Sequence, residues 1–249
     1  MQKIFDAHLH LWDLKKLNLA WLINMPHIKR NFCLEDLLAF YKGFEFLGGL
    51  YVEVNSEDKK AEAKFAFELQ KQGLKFCLGT LEQGMSSFRQ VLHTDKKGAK
   101  RLYEDEFKDL LKELEKRNLP FEACVKSQDL SLLEQSLRDN KKLKIILNHF
   151  GSPEISAFDS YKRDLKILSK YENLWIKLSA PDVFDLEFAR EVFVFLKENF
   201  GEKKLIFGSN YPVANLNPKQ WVECILQSKV FENLESIFYQ NALIFYKGG

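Results

Sequence analysis

Eight short, β-rich runs alternate along the chain with longer segments of helical period, and this alternation constrains the fold more than any other feature. A near-continuous apolar run is typical of a parallel strand that is buried on both faces. Eight strand–helix units favour one closed (β/α)8 barrel over an open, doubly wound sheet. The runs are Lys3–His8, Leu50–Val54, Lys75–Thr80, Gly98–Leu102, Pro120–Val125, Leu143–His149, Leu174–Ser179 and Lys204–Ser209.

The segments between the runs fit amphipathic helices. In Glu104–Asn118 the apolar residues recur at helical spacing, and Asp185–Phe200 shows the same period. Asn233–Lys247 is predicted to be a closing helix. Since 249 residues suit one such barrel and no linker divides them, we expect a single domain over residues 1–249.

The first connection, Leu11–Gly49, is the longest. Leu34–Tyr41 within it has the pattern of the first helix. Because long loops in compact domains usually serve function, we expect the remainder to lie over the barrel mouth.

Charge and cysteine content exclude several classes of protein. Lys and Arg number 37 against 35 Asp and Glu, so the net charge of +2 gives no reason to expect a nucleic acid or a membrane as partner. No Cys-x-x-Cys pair, leader-like apolar segment or membrane-length run is present. We expect a cytoplasmic monomer or homodimer that acts on a small molecule.

His8 and His10 form the most specific local motif, in Asp6-Ala7-His8-Leu9-His10. Residues two apart on a strand face the same side, so both imidazoles can point into the barrel mouth. His149, at the end of the sixth run, can complete a three-histidine cluster that holds one divalent metal, Zn or Mn. The alternative is a set of half-buried histidines that hydrogen-bond to the backbone without metal.

Polar residues also stand at most other strand ends, where barrel enzymes place their catalytic groups. Asn210 follows the eighth run in Gly208-Ser209-Asn210-Tyr211-Pro212. Any one of these residues has a structural explanation, so the inference rests on the whole set. The further candidates, all for substrate binding, are Trp12, Glu53, Arg101, Glu122, Lys177 and Tyr211.

The motifs DAHLHLWD, ILNHFG, WIKLSA, LIFGSNYPV and NALIFY together resemble the amidohydrolase-2 family, and within it the sugar-lactonase branch. The resemblance runs from residue 3 to residue 246. It implies a distorted barrel and hydrolysis at a carbonyl centre, typically the opening of a lactone ring. It also implies that His8 and His10 match the family's His-x-His, that His149 matches the histidine ending the sixth strand, and that Arg101 belongs to a substrate-contacting Gly-x-Arg segment.

The chain departs from the family at Asn210, where the last motif normally has the aspartate that serves as general base. An amide cannot take up a proton at neutral pH, and general-base catalysis commonly contributes about 10²–10⁴-fold. Three readings follow. Glu53, Glu122 or a neutral histidine is the base; a metal lowers the pKa of bound water; or the barrel binds its ligand with little catalysis.

Our leading expectation is hydrolysis of a small sugar-acid lactone similar to L-fuconolactone. Two rivals are an amidohydrolase-2 decarboxylase of a small unsaturated or aromatic acid, and a ligand-binding pseudoenzyme. The decarboxylase is disfavoured because that chemistry usually needs an acidic residue on the eighth strand.

Overall fold

The computed structural model describes residues 1–94, 96–181 and 185–246, and its centre is an eight-stranded parallel sheet in sequential order. The amide of Asn210 donates to the carbonyl of His8 at 2.7 Å, and the amide of His10 donates to the carbonyl of Tyr211 at 2.7 Å. These bonds join the exit of the last strand to the first strand, so the predicted barrel is confirmed. The strands are β1 (Lys3–Leu9), β2 (Glu45–Val52), β3 (Lys75–Leu78), β4 (Ser87–Val91), β5 (Phe121–Cys124), β6 (Ile145–Leu147), β7 (Leu174–Ser179) and β8 (Leu205–Gly208).

Helices cover the outside of the barrel, and polar side chains start three of them. Asp58 caps α2, Asp185 caps α6, and Asn217 forms a capping box with Gln220 at the start of α7. Within the part of the chain that the structure describes, no helix combines the length and apolar character needed to cross a membrane. The α-helices are α1 (Leu34–Phe40), α2 (Lys59–Lys71), α3 (Asp105–Lys116), α4 (Leu133–Asp139), α5 (Phe158–Leu168), α6 (Leu186–Phe200), α7 (Pro218–Ser228) and α8 (Asn241–Phe245). Short 3-10 segments are Ala20–Asn24, Pro26–Ile28, Leu92–Thr94, Gly98–Tyr103, Ser127–Leu132, Asn148–Gly151, Ile155–Ala157 and Glu202–Lys204, and a π-helical turn covers Ser236–Gln240.

The buried apolar residues form two clusters. The larger cluster lies between strands and helices. In the smaller one, alternate strand residues such as Leu50 and Val52 meet Phe245 and Tyr246, so this cluster fills the inside of the barrel. Lys144, immediately before β6, donates to the carbonyl of Phe245 at 3.3 Å. The C-terminal segment therefore closes the N-terminal end of the barrel, opposite the mouth.

The fourth strand is not where the sequence predicted it. Gly98–Leu102 lies in a 3-10 helix, and Ser87–Val91 is the strand instead. The sequence Ser-Phe-Arg-Gln-Val lacks the apolar run expected of a buried parallel strand because Ser87 and Arg89 turn polar groups into the barrel. The other seven predicted strands are present, with ends that differ by a few residues.

The first connection lies beside the mouth, as expected. The indole nitrogen of Trp21 donates to the carbonyl of Val54, just beyond β2, at 2.7 Å. The predicted closing helix is divided into the π-helical turn and α8, and Lys247 of that prediction lies outside the described residues.

Candidate active site

His8, His10 and His149 meet at the C-terminal ends of β1 and β6. The ring centroid of His8 lies 5.0 Å from that of His10 and 4.7 Å from that of His149. His8 is fully buried, His10 is 5% exposed and His149 is half-buried. Neither ring nitrogen of His8 has a hydrogen-bond partner, although buried polar groups normally find one.

Hydrogen bonds fix the proton of His10. Its Nδ1 lies 2.9 Å from the carbonyl oxygen of Val52, which only accepts, so Nδ1 carries the proton and Nε2 keeps a lone pair in the neutral ring. Burial, followed by the charge of Arg89, lowers the pKa of His10 to about 3. Burial, followed by Lys177, lowers the pKa of His8 well below its ordinary value. Both rings are therefore neutral at neutral pH.

A strained turn presents His149. His149 and Phe150 have φ values of 49° and 40°, in the left-handed region that non-glycine residues seldom adopt. The Oγ of Ser179 accepts from the amide of His149 at 2.9 Å and lies 2.9 Å from its Nδ1. Such backbone strain persists where surrounding contacts enforce it, and it is concentrated at functional sites.

Asn210 faces the same cluster from the end of β8. It is 4% exposed, has a φ of 55°, and its Nδ2 donates to the carbonyl of Ala180 at 2.9 Å. Its side chain also acts on His10, whose pKa it raises slightly against the larger effect of burial. Asn210 is thus a fixed hydrogen-bonding group rather than a proton acceptor.

Asp6 fastens β1 to β8 below the histidines. Its carboxylate accepts from the amide of Ser209 at 2.8 Å, from the Ser209 hydroxyl at 2.6 Å and from the Tyr41 hydroxyl at 2.8 Å. Burial raises the pKa of Asp6, while these hydrogen bonds oppose the rise. The carboxylate of Asp6 is therefore occupied by hydrogen bonds within the fold. It also positions His8, because it accepts from the His8 amide at 3.1 Å.

Arg89 is the site residue that sequence reasoning missed. It is 6% exposed, its Nε donates to the Oδ1 of Asn148 at 3.2 Å, and its Nη2 lies 3.6 Å from the Sγ of Cys124. Its charge acts on the pKa of both His10 and Glu53. The sequence did carry a signal for this residue, since Arg89 stands in the short run Ser-Phe-Arg-Gln-Val, in which polar and apolar residues are mixed.

Cys124 connects Arg89 to the rim. Its Sγ also lies 3.6 Å from the Nδ1 of His93, which follows β4. Burial alone would raise the pKa of the thiol, but Arg89, His149 and His93 outweigh burial and hold the pKa well below its ordinary value. Cys124 therefore lies among Arg89, His93 and His149 rather than in apolar surroundings.

Glu122 and Lys177 lie inside the barrel as partners of each other, so their expected role in substrate binding stays a prediction. They form an ion pair in which both side chains are fully buried. Glu122 also accepts from the Tyr246 hydroxyl at 2.7 Å, from the Ser87 hydroxyl at 3.0 Å and from the Asn148 amide at 3.0 Å. Despite burial, Lys177 and these donors hold the pKa of Glu122 below its ordinary value. The pair supports Asn148, and through it Arg89.

Glu53 is buried beyond the C-terminal end of β2, where the charge of Arg89 acts on its pKa. It is 4% exposed at the end of β2, and its Oε2 accepts from the amide of Gly79 at 2.9 Å. A Cβ at Gly79 would lie 2.8 Å from that oxygen, so the glycine permits the approach. Burial raises the pKa of Glu53, although Arg89 acts in the opposite direction.

Of the three other predicted binding residues, Tyr211 adjoins the histidines, because its carbonyl accepts from the amide of His10 at 2.7 Å. The Trp12 indole donates to the carbonyl of Arg30 at 2.6 Å, and the Tyr211 ring packs against Phe32. Arg101 lies on the 3-10 helix beyond β4, with its guanidinium 5.7 Å from the ring centroid of Phe107. The roles of Trp12, Tyr211 and Arg101 in substrate binding stay predictions.

The residues present do not fit the expected divalent ion. The unpartnered nitrogens of His8 would suit a ligand and the three histidine rings meet, yet across residues 1–94, 96–181 and 185–246 no three His, Cys, Asp or Glu side chains have their donor atoms arranged to hold one metal ion. Arg89 and Lys177 add buried positive charge that acts on the same rings. Asn210 offers an amide where the resemblance predicts a carboxylate. The described side chains of this site are therefore not suited to hold a divalent metal ion.

Similarity to known proteins agrees with the fold. A structure described as Amidohydrolase 2 from Bifidobacterium longum subsp. infantis has 27% identity, covers 99% of each chain and gives a TM-score of 0.84. An amidohydrolase from Burkholderia multivorans with bound Zn gives a TM-score of 0.82 at 16% identity, with 98% of each chain covered. A Pseudomonas putida protein, provisionally described as a 2-pyrone-4,6-dicarboxylic acid hydrolase, gives 0.78 at 18% identity over 99% of this chain and 98% of its own. The sequence profile of the amidohydrolase family matches residues 74–248, well over half of the chain, and the chain therefore belongs to the amidohydrolase family of hydrolytic enzymes.

Proposed function

We propose that the chain hydrolyses a small sugar-acid lactone by attack of water on the ring carbonyl, without a resident metal. The observation that carries the proposal is the fully buried ring of His8, which has two unpartnered nitrogens and contacts the rings of His10 and His149. A polar group kept without a partner at a barrel mouth is suited to receive the oxygen atoms of a ligand.

Glu53 is the proposed general base. The pKa values of His8 and His10 are lowered, so both are weak proton acceptors, and Asn210 cannot accept a proton. Burial raises the pKa of Glu53 towards the working pH, which makes its carboxylate a stronger base than an exposed one.

Arg89 and His149 are the proposed groups that stabilise the oxyanion. The attacking water gives its proton to Glu53 while its oxygen bonds to the carbonyl carbon and the carbonyl electrons move to oxygen. Arg89 supplies a fixed positive charge in a buried site, where such charge is most effective. The bond to the ring oxygen then breaks, and that oxygen takes the proton from Glu53 to give the hydroxy acid.

Access limits the size of the substrate. His8 has no exposed surface and His10 is 5% exposed, so entry runs past His149, the half-buried member of the cluster. This geometry supports a single small ring as substrate.

The test is a panel of aldonolactones assayed by release of acid, with protein prepared after chelation and with added zinc or manganese. We expect ring opening without metal, and Glu53→Gln should lower kcat about 10²–10⁴-fold. Glu57→Gln, on an exposed neighbour, is the matched control. A wild-type protein that opens no lactone faster than buffer, or that does so only with added metal, would refute the proposal.

A ligand-binding pseudoenzyme is the second candidate, and the amide at Asn210 favours it. Asn210→Asp distinguishes the two. A large gain in turnover would mean that the native barrel lacks its base, whereas a loss would mean that the chemistry has been rebuilt around the amide and Glu53.

A further inference from the structure

A solvent-open cavity of about 360 Å³ lies at the rim of the mouth beside the candidate active site. One wall follows β4 and includes His93 with the 3-10 helix that starts at Gly98, and the other wall follows β5. Both walls therefore belong to the C-terminal end of the barrel, where the loops of such barrels contact substrates. The lining residues are His93, Lys96, Lys97, Gly98, Ala99, Lys100, Lys126, Gln128 and Asp129.

The cavity is strongly basic although the whole chain is nearly neutral. Four of its lining residues are lysines, and all four are exposed. Lys97 forms an ion pair with Glu104. Among the described lining residues, Asp129 is the one acid. Set against these two acids and Asp95, which precedes Lys96 in the sequence, the four lysines still leave a net positive charge, which favours an anionic group.

His93 connects the cavity to the candidate active site. Its Nδ1 lies 3.6 Å from the Sγ of Cys124, and that sulfur lies 3.6 Å from the Nη2 of Arg89. One layer of side chains thus separates the lysines from the proposed oxyanion site. The cavity and the proposed oxyanion site are therefore neighbours that are linked through Cys124 and His93.

We propose that this cavity is a subsite for a dianionic group, either a phosphate monoester or a pair of carboxylates, carried by the substrate away from its lactone ring. That the bound molecule is a substrate rests on the proposed function, but the binding of a dianion to the cavity does not. It adds an acidic group to the lactone substrate of the proposed function.

Lysine suits this role because its ammonium acts as a mobile point charge and needs no fixed planar partner. Gly98 has a φ of +58°, and no atom lies within 4 Å of the Cβ position it lacks. The turn that brings Lys97 and Lys100 to the same rim therefore uses a backbone conformation that glycine adopts readily.

Calorimetric titration of the full chain with inorganic phosphate and with malonate tests the subsite independently of activity. We expect one of the two dianions to bind to the wild type and to bind roughly tenfold more weakly to the double variant Lys100→Met/Lys126→Met. Tighter phosphate binding would assign a phosphate ester, and tighter malonate binding would assign a dicarboxylate. The control variant Lys64→Met/Lys166→Met removes two exposed lysines from α2 and α5 on the outside of the barrel and should bind like the wild type.

Kinetics with matched lactones, with and without the dianionic group, provide the second arm. We expect the charged lactone to lose about tenfold in kcat/KM in Lys100→Met/Lys126→Met, mainly through KM, while the uncharged lactone is unaffected. Absence of dianion binding to the wild type, or equal weakening in both double variants, would overturn the subsite. Dianion binding without any lactone opening would keep the subsite and refute the proposed function.

Discussion

Acidification from about pH 7 to about pH 5 should remove about 2 kcal/mol of folding free energy through His10 alone. In the folded chain, burial and the charge of Arg89 lower the pKa of His10 to about 3, so its ring stays neutral at both pH values. In the unfolded chain the same ring titrates near 6.5. The unfolded chain therefore binds a proton that the folded chain does not, and stability present above pH 6.5 is lost as the pH falls towards 3.

The magnitude follows from the pH interval. About pH 5 lies roughly 1.5 units below the unfolded pKa, and each unit corresponds to about 1.36 kcal/mol, which gives the figure of about 2 kcal/mol. His8 acts in the same direction because its pKa is also lowered. Asp6 and Glu53 act in the opposite direction, because their raised pKa values make the folded chain take up protons first. A variant of His10 is therefore needed to isolate its share.

His10→Asn is that variant, because an amide nitrogen can replace Nδ1 as donor to the Val52 carbonyl and does not titrate. Urea unfolding followed by tryptophan fluorescence gives the free energy of unfolding at both pH values. The stability advantage of the wild type over the variant should shrink by about 2 kcal/mol on acidification. His27→Asn, at an exposed site, should retain the wild-type pH dependence. An advantage that is the same at both pH values would refute the inference that the fold keeps His10 neutral.

Three further variants test other parts of the site. Arg89→Met should lower kcat for lactone opening about 10²–10³-fold, as measured in steady-state kinetics, because it removes the proposed oxyanion partner; an unchanged kcat would assign that role elsewhere. Lys177→Met should lower the free energy of unfolding by about 3–5 kcal/mol in urea, because it leaves Glu122 buried and unpaired. The double variant Lys177→Met/Glu122→Leu should lose less, and equal losses would contradict the burial argument. Gly208→Ala would place a Cβ 2.6 Å from the Cβ of His8, so we expect a loss of about 1–3 kcal/mol and a lower Tm in thermal unfolding, whereas an unchanged Tm would show that the two strands separate easily.

The sequence predicted the barrel because seven of its strands carry the apolar runs that burial on both faces requires. It failed at β4, where Ser87 and Arg89 point polar groups into the barrel and interrupt the run. Gly98–Leu102 was predicted as the fourth strand in its place, and it lies in a 3-10 helix.

The same reasoning found the three histidines but not the depth of the other polar residues. Alternation along a strand indicates which side chains point inwards, but it does not say how far below the mouth they lie. Glu122 and Lys177 come from β5 and β7 and satisfy each other, a pairing between distant segments that one sequence does not show. Arg89 was not identified because its strand was not predicted. The family resemblance pointed instead to Arg101 as the arginine that contacts the substrate.

The backbone bond between the Asn210 amide and the His8 carbonyl has a consequence for how the protein responds to its ligand. The two residues are about 200 positions apart in the sequence, so a molecule that binds to both would link the first strand to the last one. The binding free energy of the ligand would then add to the free energy needed to separate β1 from β8. Bound ligand should therefore protect the amides of these two strands from hydrogen exchange more than those of β3 or β4.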